Sequence, residues 1–373
     1  MAFLDEYTSL GHLGSGAFAE VYKVRHNQLG YVRAVKVLNQ IIESEDSVSY
    51  RKFIDECKVL LRLGNGNHPN IVHIYKPDLK EQKAFVEMDY IDGCNLYDYI
   101  EQNKGFIDIE EILRYTKEIS SALSYCHHDI YEYCMDPDSD NLETAPNDGS
   151  IYLLNKTKEE ELVNKYKVIH NDMHPGNVMR RKNGNYILLD FGLSIEGDSV
   201  AVSSKRTNGA PEYKAPEKWD KDVITEQSDI YSFGCILYMM LAGTPPFPEP
   251  HFNAQKDMYE AHKSKTPPVI YPIRKAAFEK KYNKNYQKDY PDWLEIIMKC
   301  LLKSPNDRFL NGKQLHEYYI QKYIEYGKTL TNSQTVQDAK YYEMQITINK
   351  LTKALKNSRQ EVKYLLQALR NKK

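Results

Sequence analysis

Tryptophan is nearly absent and cysteine is sparse, with two Trp and six Cys in 373 residues. The cysteines (Cys57, Cys94, Cys126, Cys134, Cys235 and Cys300) are scattered and form no C-x-x-C pair. That spacing excludes a zinc ribbon, a thioredoxin-like redox pair and a disulfide framework. They read as reduced, partly buried thiols, and the expected location is cytoplasmic. Long apolar runs are missing too. The longest, Cys235 to Ala242, is far too short to span a bilayer. The N-terminus, M-A-F-L-D-E-Y, has neither the basic flank nor the apolar centre of a signal peptide. Neither sign of charge dominates: 50 Lys+Arg stand against 52 Asp+Glu, a formal net of −2. With no basic field, no nucleic-acid partner is expected. What is present is 41% hydrophobic residues, enough for a large core and for two or three domains.

The stretch from Val168 to Gly192 is the most informative: V-I-H-N-D-M-H-P-G-N-V-M, a turn at 182–185, then Y-I-L-L-D-F-G. It reads as two short strand-like runs, each ending near an acidic residue. Asp172 stands five positions before Asn177 and eighteen before Asp190. That set suits metal-assisted phosphoryl transfer. One carboxylate takes or orients the acceptor proton, while a carboxylate and an amide oxygen hold the metal on the phosphates. Asp-Phe-Gly alone would be an ordinary polar hairpin end; the H-x-D-x-x-x-x-N spacing upstream lifts the signal.

Upstream, Leu13-Gly14-Ser15-Gly16 lies between runs suited to strands, 7–13 and 20–25. Its glycines allow close backbone approach to phosphate oxygens, although Ala19 replaces a third one. Val32 to Leu38 alternates as a strand, with Lys36 on the face of Ala34. A helix is expected over 49–63, with Phe53, Cys57, Leu60 and Leu61 as its apolar stripe and Glu56 beside it as the natural partner of Lys36. His68-Pro69-Asn70-Ile71-Val72 breaks that helix and is expected to start a strand. Ala84 to Ile91 reads as another, running into the turn signal Asp92-Gly93.

In this order the motifs resemble the eukaryotic-type (Hanks-type) protein kinase family over roughly residues 7–325. The resemblance implies an α+β, two-lobed fold: a small antiparallel β-sheet lobe with one helix, then a larger, mainly helical lobe. It implies ATP with Mg²⁺, or Mn²⁺, bound between them, and a protein substrate. Carried over residue by residue, Lys36 and Glu56 pair at the phosphates, Asp172 is the base, and Asn177 and Asp190 are the metal ligands. Met88 resembles the gatekeeper, Asp89, Tyr90 and Ile91 the hinge, and Val21, Ala34 and Met179 the walls of the adenine pocket. Asn95 lies near the ribose. His170, Phe191 and Leu60 resemble an internal apolar spine.

Three departures touch the catalytic loop. Asn171 replaces the usual arginine, His174 the lysine that Ser/Thr kinases set on the transferred phosphate, and Ala210 the threonine bonded to that lysine and the base. His174 still offers a hydrogen bond, from a ring expected to be partly cationic near pH 7. Without an arginine at 171 the chain is of the non-RD type, so activity is not expected to require phosphorylation of Ser199, Ser203, Ser204 or Thr207. Gly176 stands where some basic-directed kinases carry an acidic residue, so the resemblance implies no preference for basic substrates.

H-N-D-M-H-P-G-N also resembles small-molecule phosphotransferases of the aminoglycoside and choline kinase type. Downstream segments favour a protein kinase of Ser/Thr type. Tyr213 to Glu217 resembles the A-P-E segment. Asp229 opens an apolar helix and is expected to hold the catalytic-loop backbone, and Arg308 is expected to pair with Glu217. A pseudokinase scaffold is the non-enzymatic alternative.

The lobes are expected at 1–92 and 93–328, with an insertion at about 129–167. Its alternating carboxylates at 136–140 fail as a calcium loop, because Asn141 and Asn147 stand where a glycine and a glutamate are needed. Residues 248–293 read as a solvated excursion. A linker at 329–340 precedes an amphipathic helix at 341–373 whose apolar stripe runs Tyr341, Met344, Ile348, Leu351, Leu355, is broken at Ser358, and resumes at Val362, Leu365, Leu369. That pattern suits a coiled-coil homodimer. Packing back on the kinase domain is an alternative. With eight Lys/Arg against two Glu, contact with an anionic membrane surface is another.

Overall fold

The computed structural model describes residues 6–15, 19–42, 44, 48–65, 67–80, 82–134, 156–191, 194–196, 210–220, 223–248 and 255–329, with seven positions between 337 and 347. The small lobe is a five-stranded antiparallel sheet ordered β1-β2-β3-β5-β4: β1 (Tyr7–Ser15), β2 (Ala19–His26), β3 (Val32–Ile41), β4 (Ile74–Lys80) and β5 (Lys83–Asp89). The alternation in β3 seats Val35 and Val37 in a cluster with Val24 and Phe85. α1 (Val48–Asn65) crosses the other face, where Phe53 and Cys57 pack on Ile42, Ile74, Ala84 and Val86. Lys36 pairs with Val86 of β5 and Val21 of β2, which fixes it in the middle of the sheet.

The expected strand at 71–72 forms differently. Ile71 makes an isolated bridge to Leu188, and β4 begins only at Ile74. The reason is a tie to the other lobe. Val72 N–H donates to Leu188 O, Leu188 N–H to Asn70 O, and Asn70 Nδ2 to Tyr186 O.

The larger lobe begins with β6 (Gly93–Asn95), α2 (Leu96–Gln102) and α3 (Ile109–Ser124). After a π turn at Tyr125–Asp129 the helix continues as α4 (Ile130–Cys134), five residues into the expected insertion. The insertion closes with α5 (Lys156–Tyr166), held to α4 by Tyr131 Oη donating to Glu159 at 3.0 Å. The rejected calcium loop lies outside the described residues. Next come β7 (Val168–Ile169), the β8 (Val178–Arg181) and β9 (Tyr186–Leu188) hairpin, and β10 (Ile195–Glu196), which pairs with β7. The lobe is completed by α6 (Glu217–Asp220), α7 (Glu226–Ala242), α8 (Gln255–Ser264), α9 (Ile270–Tyr282), α10 (Ile296–Cys300) and α11 (Gly312–Thr329).

α7 is apolar all round, as a helix buried on every side must be. Tyr115 of α3 stacks on its Phe233 at 5.7 Å. α11 starts hard against α3: a Cβ on Gly312 would fall 2.2 Å from the Leu123 carbonyl carbon, so only glycine fits.

Of the expected solvated excursion at 248–293, residues 255–293 include α8 and α9, and part of them packs into the lobe although many side chains stay exposed. Arg274 of α9 is fully buried, ion-paired with Asp289 at 2.5 Å and donating to Ile107 O and Leu241 O. Lys281 lies over Phe106 and donates to its carbonyl, so its stem covers apolar surface. In the tail, Tyr341 and Met344 are more than half exposed, and the stripe from Ile348 onward lies outside the described residues.

Candidate active site

The catalytic loop hangs from α7. Asp229, 1% exposed, accepts the His170 N–H on Oδ2 at 2.7 Å and the Asn171 N–H on Oδ1 at 2.8 Å. A third donor is His127 Nε2, 3.0 Å from Oδ2. Since His127 Nδ1 accepts the Gly312 N–H, its ring proton sits on Nε2. Burial pushes the Asp229 carboxyl up, but these donors outweigh it and hold the group below the usual carboxylate range. The expectation for Asp229 holds. His127 carries no local motif and reads in sequence as one more helix residue.

His170 links the loop to the hairpin. Its Nε2 donates to Leu189 O at 2.8 Å, its Nδ1 accepts the Asp172 N–H at 3.2 Å, and its ring lies 4.6 Å from Phe191. Asn177 folds back on Asp172, Nδ2 donating to the carbonyl oxygen at 2.9 Å. The hairpin register pairs Val178 with Leu188, which delivers Asp190 beyond the strand end in a left-handed conformation, φ 52°. There it meets the other lobe: Lys36 Nζ lies 2.7 Å from Asp190 Oδ1. The helix bearing Glu56 is in place, but the Glu56 side chain and Gly16 lie outside the described residues.

Met88, Met179 and Ile91 come together around the Val72, Ile91 and Ile187 cluster at the junction of the lobes. Ala34 pairs with Met88 across the sheet and is buried. Val21 pairs with Lys36, and Gly14 stands opposite Val21 in β1. Leu13 is exposed on the same strand, which Ser15 ends. Asp89 accepts the Tyr75 hydroxyl at 2.7 Å, and the Tyr90 ring carries Lys23 at 3.9 Å. Asn95 caps α2: its Oδ1 accepts the Asp98 N–H and its Nδ2 donates to the Asp98 carboxylate.

His174 departs from expectation in its charge. Its Nδ1 accepts the Gly176 N–H at 3.1 Å, which leaves the proton on Nε2, 3.9 Å from Asp172 Oδ2. Burial pushes the imidazole below its usual range, more than the Asp172 carboxylate pulls it up. The cationic share of the ring near pH 7 is therefore smaller than that of an unperturbed imidazole, and Nε2 is its donor. Gly176 is part of the same arrangement, because a Cβ there would lie 2.8 Å from His174 Cε1. Tyr97, unnoticed in the sequence, flanks both, its ring 6.3 Å from His174 and 6.2 Å from Tyr213.

Behind the loop, Arg308 grips Glu217 with two hydrogen bonds, 2.7 and 2.9 Å, as expected. Lys218 beside it, 6% exposed, donates to the Asn171 carbonyl at 2.5 Å. Burial pushes its ammonium down to about 8 against the pull of Asp229 and Asp172. The four serine and threonine phosphosite candidates lie outside the described residues. Among the described residues no helix is long and apolar enough to cross a membrane.

Known proteins give the family. The family model described as protein kinase domain matches residues 7–134 and 161–320, skipping the middle of the insertion. The chain is similar to the probable serine/threonine-protein kinase PknB of Lactococcus lactis, 28% identical over 247 residues, 66% of this chain and 33% of that protein. A probable serine/threonine-protein kinase of Clostridium perfringens is 24% identical over 313 residues, 83% of this chain and 37% of its own. The RAC family serine/threonine-protein kinase homolog of Dictyostelium discoideum is 28% identical over 245 residues, 65% and 45% of the two chains. The chain thus spans less than half the length of these curated relatives. With the Asp229 suspension, the interlobe Lys36–Asp190 pair and a domain match over most of its length, the chain belongs to the protein kinase family.

Proposed function

We propose that this chain is an ATP-dependent protein kinase that transfers the γ-phosphoryl group to serine or threonine hydroxyls, using Mg²⁺, or Mn²⁺ in its place. The observation that carries the reading is the 2.7 Å Lys36–Asp190 pair, which sets a strand lysine of one lobe against the acidic end of the hairpin of the other. In this reading Lys36, supported by Glu56, holds the α- and β-phosphates beneath the backbone of Gly14–Gly16. Adenine lies between Val21, Ala34 and Met179, bonded to the backbone of 89–91 in front of Met88, with Asn95 toward the ribose.

The donor set suits a hard divalent ion. Asp190 contributes carboxylate oxygen, and Asn177, whose Nδ2 is turned to Asp172, contributes its amide oxygen. Bound there, the ion would neutralise charge on the phosphate oxygens. Asp172 takes the proton of the acceptor hydroxyl as its oxygen bonds to phosphorus and the bond to the bridging oxygen of ADP breaks. His174 Nε2–H, beside that carboxylate, donates to a phosphoryl oxygen. Self-association through 341–373 is proposed on its apolar pattern.

The test is ATP turnover with no acceptor, with generic protein acceptors and with small alcohols, alongside Asp172→Asn. Protein labelling on Ser/Thr that the substitution abolishes is the expected result. Labelling of a small alcohol alone would move the chain to the other phosphotransferase class. No turnover anywhere would make it a scaffold.

A further inference from the structure

In sequence Lys218 is only the residue after A-P-E. In the fold it is nearly as buried as the core, and a lysine so placed ordinarily has a carboxylate partner. Among the described residues Lys218 forms no ion pair, and its Nζ donates instead to a backbone carbonyl, that of Asn171, at 2.5 Å. That carbonyl belongs to the peptide unit carrying the Asp172 N–H, which itself donates to His170 Nδ1 at 3.2 Å. The peptide before it is held by Asp229 through the Asn171 N–H. Asn171 between them sits at φ 67°, a left-handed conformation that a non-glycine residue holds at a cost and keeps under restraint.

We propose that Lys218 is a positioning residue for the base: by clamping the Asn171 carbonyl it holds the peptide that aims the Asp172 carboxylate at the acceptor. The inference rests on the kinase reading of Asp172. It accounts for how the base stays ordered in a loop with His174 and Ala210 where relatives of Ser/Thr type carry a lysine and a threonine. The support comes from the A-P-E side of the loop.

The experiment uses the full chain as Lys218→Met, which keeps the stem and loses the donor, and as Lys218→Arg, which keeps a charged donor. Two quantities are measured: amide hydrogen exchange across 168–178, and steady-state kinetics with ATP·Mg²⁺ and a generic protein acceptor. The Met variant should lose at least tenfold protection at 170–172 with α7 unchanged. Its kcat should fall about 10²-fold, the scale expected for a misaimed catalytic group, with KM for ATP within about twofold. The Arg variant should recover most of both. Unchanged exchange in the Met variant, lost exchange protection with kcat intact, or equal loss throughout α7 in both variants would each overturn the proposal. If the unmodified chain transfers phosphoryl to no acceptor, the kinase reading fails by itself, and the exchange measurement still decides whether Lys218 clamps the loop.

Discussion

Asp229→Asn is the substitution whose cost follows most directly from the structure. The carboxylate takes three donors, two on Oδ2 (His170 N–H and His127 Nε2–H) and one on Oδ1 (Asn171 N–H). An asparagine has one acceptor oxygen and an NH₂, so one orientation keeps two bonds and the other keeps one. In either, an NH₂ faces a buried N–H. Hydrogen bonds to a charged acceptor contribute about 1.5–3 kcal/mol each, and an unsatisfied buried donor costs about 1–3 kcal/mol more. Relief from burying a carboxylate offsets part of this. The expected loss is therefore about 2–4 kcal/mol. Because the folded carboxyl titrates below its ordinary value, this contribution is present in full above about pH 4 and is lost only as pH falls further. Denaturant unfolding at pH 7 measures it, and kcat should fall with it because His170 and Asn171 flank the base. A double-mutant cycle with His127→Ala should give a coupling of at least about 0.5 kcal/mol, since the two side chains are in contact. A loss below about 1 kcal/mol with unchanged kcat would refute the suspension of the loop from α7.

Two further outcomes are expected. Lys36→Met should cut phosphoryl transfer at least about 10²-fold while changing stability by under about 1 kcal/mol, because the Lys36–Asp190 pair is partly exposed; a matching loss of stability would make Lys36 a structural residue. His262 is fully buried, shares a hydrogen bond with the Tyr231 hydroxyl through Nδ1 at 2.8 Å, and is pushed by burial down to about 3. As pH falls the unfolded chain takes that proton first, so stability should decline from about pH 6.5 toward 3, by up to about 4–5 kcal/mol. His262→Phe should flatten that part of the pH–stability curve, and an unchanged slope would rule the histidine out as its source.

The sequence was readable where chemistry depends on local spacing. Asp172, Asn177 and Asp190 sit on one loop and one tight hairpin, so their proximity follows from chain connectivity. Asp229 and Arg308 were legible because each lies in a recognisable local context, although their partners are distant. What was not legible is contact between a side chain and a remote backbone atom. Arg274 gains its place from the carbonyls of Ile107 and Leu241, and Lys218 from a carbonyl 47 positions away. Backbone carbonyls carry no identity in a sequence, so a lysine- and tyrosine-rich segment reads as solvated until the fold supplies them. His127 was missed for a related reason: its meeting with Asp229 depends on the π turn inside a long helix, which periodicity does not announce.

The replaced residues of the catalytic loop make sense together once its backbone is accounted for. From 170 to 177 the N–H groups of His170 and Asn171 go to Asp229, and that of Asp172 to His170. The Asn171 carbonyl is held by Lys218 and that of Asp172 by Asn177, while the Asn177 N–H bonds the His174 carbonyl and the Gly176 N–H the His174 ring. A loop tied in this way is held from α6, α7 and its own turn, and turnover by a chain with alanine at Ser199, Ser203, Ser204 and Thr207 is the measurement that decides whether a loop phosphate is needed as well. The same ties explain why Gly176 accompanies His174. A histidine that caps the turn with Nδ1 folds its ring over residue 176, where a Cβ would meet it at 2.8 Å. Any side chain at 176 would have to displace the same ring that stands beside the base.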